Sequence, residues 1–385
     1  MRCIDEVPLG ELKGKRVLVR AGFDVPLNAA GEVSDTFRVR RSAETLQYLK
    51  ERGARVIVLS HIGREPRETN APVARALQNI LRVHYVADVT GHAARDAAQA
   101  VGEGEVLLLE NVRSDPREIA NDEEFARELA SLGELYVSDA FSAAHRAHAS
   151  IVGVPKFLPS YAGLLMCSEV AALERARAPR SPSFAILGGA KFETKAPLIR
   201  SLLDAYDHLF VAGALANDVL KAQGFPIGRS LISKEAPGPD VLGHPHFVPP
   251  VDVVAENLDG QARTIAPAAV AQDEKIVDIG PDSVALVAPL IEEANFILWN
   301  GPTGLYEDGY TTWTEHVARL IAKKVAAGAS AVVGGGDTIA AIQGAGLKEE
   351  ELGFLSTGGG AMLEYLLRGT LPAIEALESQ PVASS

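Results

Sequence analysis

The chain has 385 residues, 47 % hydrophobic and 23 % charged, which excludes a disordered polymer and suits two globular domains. Its 37 basic and 50 acidic residues give a formal charge of −13, a poor match to nucleic-acid phosphates. No run of roughly 18 apolar residues points to a membrane span, and residues 1–6 have no apolar leader core, so a cytoplasmic protein is expected.

In chain order, strands are predicted in the first half over residues 16–23, 55–61, 84–89, 105–112 and 134–140. Val, Leu and Ile fill both parities of several of them, as in strands buried on both faces. Helical spacing separates them: Ala43, Leu46 and Leu49 within 41–52, then Phe125, Leu129 and Leu132 within 122–132. A break at 154–159 precedes a long helix over 162–178 and the breaker Ala178-Pro179-Arg180-Ser181-Pro182. The second half carries strands at 183–190, 208–214, 248–256, 275–280, 295–301 and 330–336, with a short one at 353–356. Helices at 361–367 and 371–377 and a frayed tail at 381–385 close the chain. This alternation predicts an α/β protein: two doubly wound, Rossmann-like parallel-sheet domains joined through the long helix. The domains fall at residues 1–158 and 159–366.

Ligands of such sheets bind beyond the carboxyl ends of the strands. In the first half those positions are basic: Arg38, His61, Arg64, Arg113 and Arg146 come from four connections. Clustered guanidinium groups suit a small polyanion, because each can grip a phosphate or carboxylate with two donors. In the second half the same positions are glycine-rich: Gly188-Gly189, Gly213, Gly301 to Gly304, Gly334-Gly335-Gly336 and Gly358-Gly359-Gly360. Glycine lets backbone N–H groups approach a phosphate, and helix N-termini add donors and dipole. There is no P-loop motif, no dinucleotide-binding glycine fingerprint after the first strand and no zinc spacing. His145 and His148 read as structural, Cys3 and Cys167 as thiols in a reducing compartment, and Thr312 with Glu315 as a capping box. A polyanion domain facing a nucleotide domain suits phosphoryl transfer, where positioning and charge neutralisation supply most of the catalysis.

Several segments together resemble the phosphoglycerate kinase family. They are Val17-Leu18-Val19-Arg20 with Phe23-Asp24-Val25-Pro26, Ser60-His61-Ile62-Gly63-Arg64, Glu110-Asn111-Val112-Arg113, Asp139-Ala140-Phe141 with His145-Arg146-Ala147-His148, Gly188-Gly189-Ala190-Lys191, Trp299-Asn300-Gly301-Pro302, Gly334 to Thr338 and Ser356 to Gly360. The resemblance implies reversible transfer of the acyl phosphate of 1,3-bisphosphoglycerate to ADP, giving 3-phosphoglycerate and ATP, with Mg2+ accompanying the nucleotide. It implies that Arg38, His61, Arg64, Arg113 and Arg146 hold phosphoglycerate, beside Gly22, Phe23, Asp24, Ile62 and Gly63. Arg38, Lys191, Lys195, Gly358 and Gly359 would surround the moving phosphoryl group. Gly189, Lys195, Gly213, Asn300, Glu307, Gly334, Gly335, Gly336, Asp337 and Thr338 would bind the nucleotide, with Asp337 at the metal. It implies that the long helix is a hinge helix, that residues 367–385 pack back on the first domain and that domain closure brings the two ligands together; a monomer is expected. The family's carboxylate is missing at Gly22 and its amide is replaced by Asp24, so Asp24 is read as partly replacing the lost group. Gly22 leaves open a related carboxylate kinase with another substrate, and a non-catalytic nucleotide-binding relative.

Overall fold

A computed structural model describes residues 1–379; the predicted tail at 381–385 lies outside them. The chain divides into two compact units, Met1–Ala171 with the segment from Thr370 onward, and Ala172–Gly369.

Unit 1 is built on β1 (Arg16–Arg20), β2 (Arg55–Leu59), β3 (His84–Val86), β4 (Val106–Leu109), β5 (Leu135–Ser138) and β6 (Ser160–Ala162). All are parallel, in the order β3-β4-β2-β1-β5-β6. Side chains alternate between the faces of a strand. Val17, Val19, Val56 and Val58 therefore enter one core with Leu46 and Leu49. Leu18, Ile57 and Leu107 enter the opposite core with Phe125 and Leu129. The short strand β6 extends this sheet, so the division between units comes later in the chain than the 154–159 break. The helix Pro372–Glu378 also belongs to unit 1, where Ala373 N–H donates to Ala144 O at 3.0 Å.

The two cysteines are not free thiols. Cys3 and Cys167 form a disulfide with Cα atoms 6.3 Å apart. Cys3 bridges Ala162 at the sheet edge, which sets the N-terminal segment beside the start of the helix Leu164–Arg177. Their separation in sequence hid this proximity.

Unit 2 carries β7 (Ser183–Leu187), β8 (His208–Val211), β9 (Phe247–Val248), β10 (Val253–Glu256), β11 (Ala262–Ile265), β12 (Lys275–Ile279), β13 (Phe296–Asn300), β14 (Ser330–Gly334) and β15 (Phe354–Leu355). The parallel sheet runs β15-β14-β13-β7-β8-β9. The predicted strands at 248–256 and 275–280 need correction. The first is two strands, and β10, β11 and β12 form a separate antiparallel sheet. The reason is local: Asp259-Gly260 makes a tight hairpin turn, with Gly260 at φ +76°, and a hairpin enforces antiparallel pairing. β10 alternates buried and half-buried residues, as a sheet with one wetter face requires. The capping box also fails: the helix Thr312–Ala326 is preceded by Thr311, whose side chain makes no cap bond. Among the described residues no helix is long and apolar enough to cross a membrane.

Asp139, fully buried just after β5, accepts from Met166 N–H at 3.1 Å and so caps the helix Leu164–Arg177. Burial raises its carboxyl pKa to about 7. Between the ordinary value near 4 and about 7, the folded chain keeps a proton that the unfolded chain has released. This group therefore makes stability fall as pH rises through that window. Asp139→Asn has no such proton. Its Tm relative to wild type is expected to climb by roughly 3–6 °C from pH 5 to pH 8 by calorimetry; parallel curves would refute the assignment.

Candidate active site

In unit 1 the segments leaving β1, β2 and β4 converge. Asp24 Oδ1 accepts from Gly63 N–H at 2.9 Å, Arg113 NH1 donates to Gly63 O at 2.6 Å, and Arg38 NH1 donates to Asp24 O at 2.5 Å. β1 ends at Arg20, so Gly22 and Asp24 lie on irregular chain rather than on one strand face. Burial disfavours the Asp24 charge, but His61, the Gly63 N–H and Arg38 outweigh it and hold the carboxyl at about 2.

Beneath this cluster is a fully buried arginine. Arg20 donates to Ser150 Oγ at 2.8 Å, to Ala21 O at 2.6 Å and to His61 Nδ1 at 2.7 Å. Arginine has no acceptor, so His61 Nδ1 must be unprotonated and Nε2 carries the hydrogen. Burial, joined by the Arg20 and Arg146 charges and opposed by Asp24, brings the His61 pKa down to about 4. Near neutral pH it is a neutral N–H donor in a fixed tautomer. His61 Nε2 lies 3.5 Å from Asp24 Oδ2, too far for a good hydrogen bond. Both His61 Nε2 and Arg113 Nε are buried polar atoms without a protein hydrogen-bond partner. Buried donors call for acceptors, and an anionic ligand would supply them.

In unit 2 the loops after β7, β8 and β13 meet backbone to backbone. Gly188 N–H donates to Asn300 O at 2.7 Å, and Gly213 N–H to Thr303 O at 2.9 Å. A Cβ at Gly188 would overlap Pro302 O, so only glycine fits there. Beside these loops is a cleft lined by Gly213, Asn217, Leu231, Ile276 and Leu305 among others, a largely apolar lining that suits the flat face of a base. Next to it, the helices Gly336–Gly344 and Gly359–Arg368 bring their N-termini together. An added Cβ on Gly359 would stand 3.7 Å from Gly335 Cα. Gly301 N–H donates to Thr338 Oγ1 at 2.8 Å, which ties the β13 turn to the first of these helices. Two adjacent helix N-termini form an anion cradle.

A family model described as "Phosphoglycerate kinase" matches residues 4–369. The chain belongs to the phosphoglycerate kinase family. The "Phosphoglycerate kinase" of Moorella thermoacetica is 43 % identical over 95 % of this chain and 97 % of its own. That of Herpetosiphon aurantiacus is 42 % identical, with the same coverage of 95 % and 97 %. Among solved structures, the phosphoglycerate kinase from Coxiella burnetii aligns with TM-score 0.81 at 36 % identity, covering 98 % of both chains. The enzyme from Pyrococcus horikoshii aligns with TM-score 0.86 at 28 % identity and the same 98 % coverage of both.

Within this chain, the residues read from the sequence are distributed unevenly. Arg38, His61, Gly63, Asp24 and Arg113 meet in one cluster, and Arg146 is near enough for its charge to act on His61. Arg64 is exposed. Phe23 and Ile62 bury their side chains in the core, so only their backbones face the cluster. In unit 2, Lys195 Nζ donates to Gly188 O and Ala190 O, each at 3.2 Å, and burial lowers its pKa. Gly189, Asn300 and Gly334 lie at strand ends beside the cradle, and Gly358 caps the helix Gly359–Arg368. Glu307 is exposed and does not line the cleft, although Leu305 does. His148 Nδ1 lies 3.8 Å from Oε1 of buried Glu118. Sequence reasoning gave Arg20 no site role and passed over Ser150 and Glu118; the one signal was an arginine at the carboxyl end of a strand whose middle is apolar and buried.

Proposed function

We propose that the basic edge of unit 1 holds 3-phosphoglycerate or 1,3-bisphosphoglycerate, and that the glycine-rich edge of unit 2 holds ADP or ATP. Family membership carries the reaction, reversible phosphoryl transfer between the acyl phosphate and ADP. The observation that carries the assignment of ligands is the pair of buried donors lacking partners, His61 Nε2 and Arg113 Nε. Transfer in line needs no enzyme nucleophile; it needs charges placed around the moving group. Arg38 from unit 1 and Lys191 and Lys195 from unit 2 supply cations, and Gly358 and Gly359 supply a helix N-terminus. Because the donor and acceptor sites belong to different units, catalysis requires them to close about a hinge that includes the helix Leu164–Arg177.

Asp337 stands exposed in the first turn of the helix Gly336–Gly344, beside the cradle. One open carboxylate with phosphates and water suits Mg2+, which keeps several waters and needs few protein oxygens. Asp337 would hold the ion, which when bound neutralises phosphate charge. We read the enzyme as a cytoplasmic monomer; the Cys3–Cys167 bond removes the cysteine argument for that compartment, which rests on the ligands instead.

The deciding experiment is a coupled assay with Mg-ATP and 3-phosphoglycerate. Folded protein that binds Mg-ATP without turnover would reject this function. A second test concerns the substrate hydroxyl. An added Cβ at Gly22 would stand 3.1 Å from Ser142 Oγ, so Ser142 occupies space that a larger residue would need. That leaves Asp24 as the carboxylate nearest His61 and free to accept from a hydroxyl. Asp24→Ala should raise the KM for phosphoglycerate about tenfold, with kcat little changed. A lower KM would mean that Asp24 only repels the anionic substrate.

A further inference from the structure

Among the described residues, only Asn121 and Lys191 are non-glycine residues with positive φ. Lys191 sits at φ +66°, ψ +74°, immediately before the helix Phe192–Ala205. A left-handed backbone persists at a lysine only where its surroundings impose it. The imposing contact comes from a distant loop. Phe192 N–H, the next donor along the chain, bonds Ser233 Oγ at 2.7 Å. Ser233 is gripped twice by Asp218: its N–H donates to Oδ1 and its hydroxyl to Oδ2, both at 2.7 Å.

The direction of this relay is fixed. The serine hydroxyl has one hydrogen, spent on Asp218, so a lone pair is what it offers Phe192. Asp218 is only 3 % exposed, on the helix Ala214–Ala222 that begins at the nucleotide cleft. On the other side, Thr194 Oγ1 donates to Lys191 O at 2.8 Å. The peptide that follows Lys191 is thus held at both its N–H and its C=O, and the peptide before it at Ala190 O by Lys195 Nζ, while the Lys191 side chain is exposed. Ser233 is not in place through apolar packing of its loop, since the preceding Leu231 and Ile232 are 64 % and 38 % exposed.

We propose that Asp218 and Ser233 are positioning residues for phosphoryl transfer, holding Lys191 in its left-handed backbone so that its ammonium meets the transferring group. This rests on the role given to Lys191 above. Neither residue touches substrate; both act through the lysine's backbone.

The test is steady-state kinetics on Ser233→Ala, Ser233→Thr, Asp218→Asn, Lys191→Ala and the Ser233→Ala/Lys191→Ala pair. Ser233→Ala should lower kcat about tenfold and leave both KM values within about twofold, because a misplaced cation costs turnover rather than binding. Ser233→Thr, which keeps the hydroxyl, should recover most of the loss. In the Lys191→Ala background, Ser233→Ala should change kcat less than about twofold. Equal losses in both backgrounds would overturn the proposal, since the effect would not pass through Lys191. If Lys191→Ala loses activity while Ser233→Ala keeps it, the relay is rejected and the role of Lys191 stands. If Lys191→Ala itself keeps full kcat, that role is rejected and the relay with it. Trp299 and Trp313 lie in the same unit, so their fluorescence reports whether each variant is folded. Should Ser233→Ala not fold, Asp218→Asn is judged by the same outcomes, because an amide in that place cannot accept at both oxygens.

Discussion

Arg38→Ala is expected to lower kcat about a thousandfold while moving the KM for phosphoglycerate only a few-fold. Arg38 lies in the first turn of the helix Phe37–Glu51, where Asp35 accepts from the first helical N–H, that of Phe37, at 2.8 Å. A helix N-terminus disfavours a cation. The position makes sense if the guanidinium answers to an anion that arrives during the reaction. Its donor to Asp24 O orients it toward the His61 and Arg113 cluster. Charge that grows on the phosphoryl oxygens is what such a group stabilises, so its loss should fall on kcat. Arg38→Lys should not restore the rate, because an ammonium cannot present two parallel donors. The exposed Arg64 provides the contrast: Arg64→Ala should act mainly on KM. Single-turnover measurement separates chemistry from product release. An Arg38→Ala enzyme within threefold of wild type in that step would remove Arg38 from the catalytic machinery.

How much of this was legible in the sequence depends on the range of the interactions. β1, β2 and β4 could be read because buried parallel strands are written as continuous Val, Leu and Ile runs. Some glycines of unit 2 could be read because they mark places where only backbone fits, as Gly188 against Pro302 and Gly213 against Gly189 do. β11 could not, because Ala262-Arg263-Thr264-Ile265 is largely exposed and carries no apolar run. The basic edge was visible residue by residue, but the tautomer of His61 was not, since it depends on Arg20 from another strand. The Asp218–Ser233 pair was invisible for the same reason: an Asp on a helix and a Ser in a loop are ordinary until the fold makes them meet. Likewise, nothing local to Cys3 or Cys167 announces a partner.

The buried base of the substrate cluster yields the second large effect. Glu118→Ala is expected to destabilise unit 1 by about 3–5 kcal/mol. Arg20 and Glu118 are both fully buried, and the Ser150 hydroxyl joins them, accepting from Arg20 at 2.8 Å and donating to Glu118 at 2.6 Å. Ser150 N–H donates to the other Glu118 oxygen at 2.8 Å. Burial works against both charges, lowering the Arg20 pKa and raising that of Glu118. Removing the carboxylate leaves Arg20 charged, enclosed and with Ser150 no longer anchored. An arginine cannot shed its proton to escape, so the cost falls on folding. Glu118→Gln should cost less, because the amide keeps volume and one acceptor. The double variant Arg20→Met/Glu118→Leu, apolar throughout, should recover much of the stability, and yet it should raise the KM for phosphoglycerate because His61 loses the partner that fixes its tautomer. The measurement must see unit 1. Both tryptophans lie in unit 2, so their fluorescence would miss the transition. Calorimetry, or hydrogen exchange on peptides spanning β1 and β5, would record it. A Glu118→Ala protein whose β1 amides exchange as slowly as wild type would show that the Arg20 charge is accommodated without its carboxylate, and would refute the coupling.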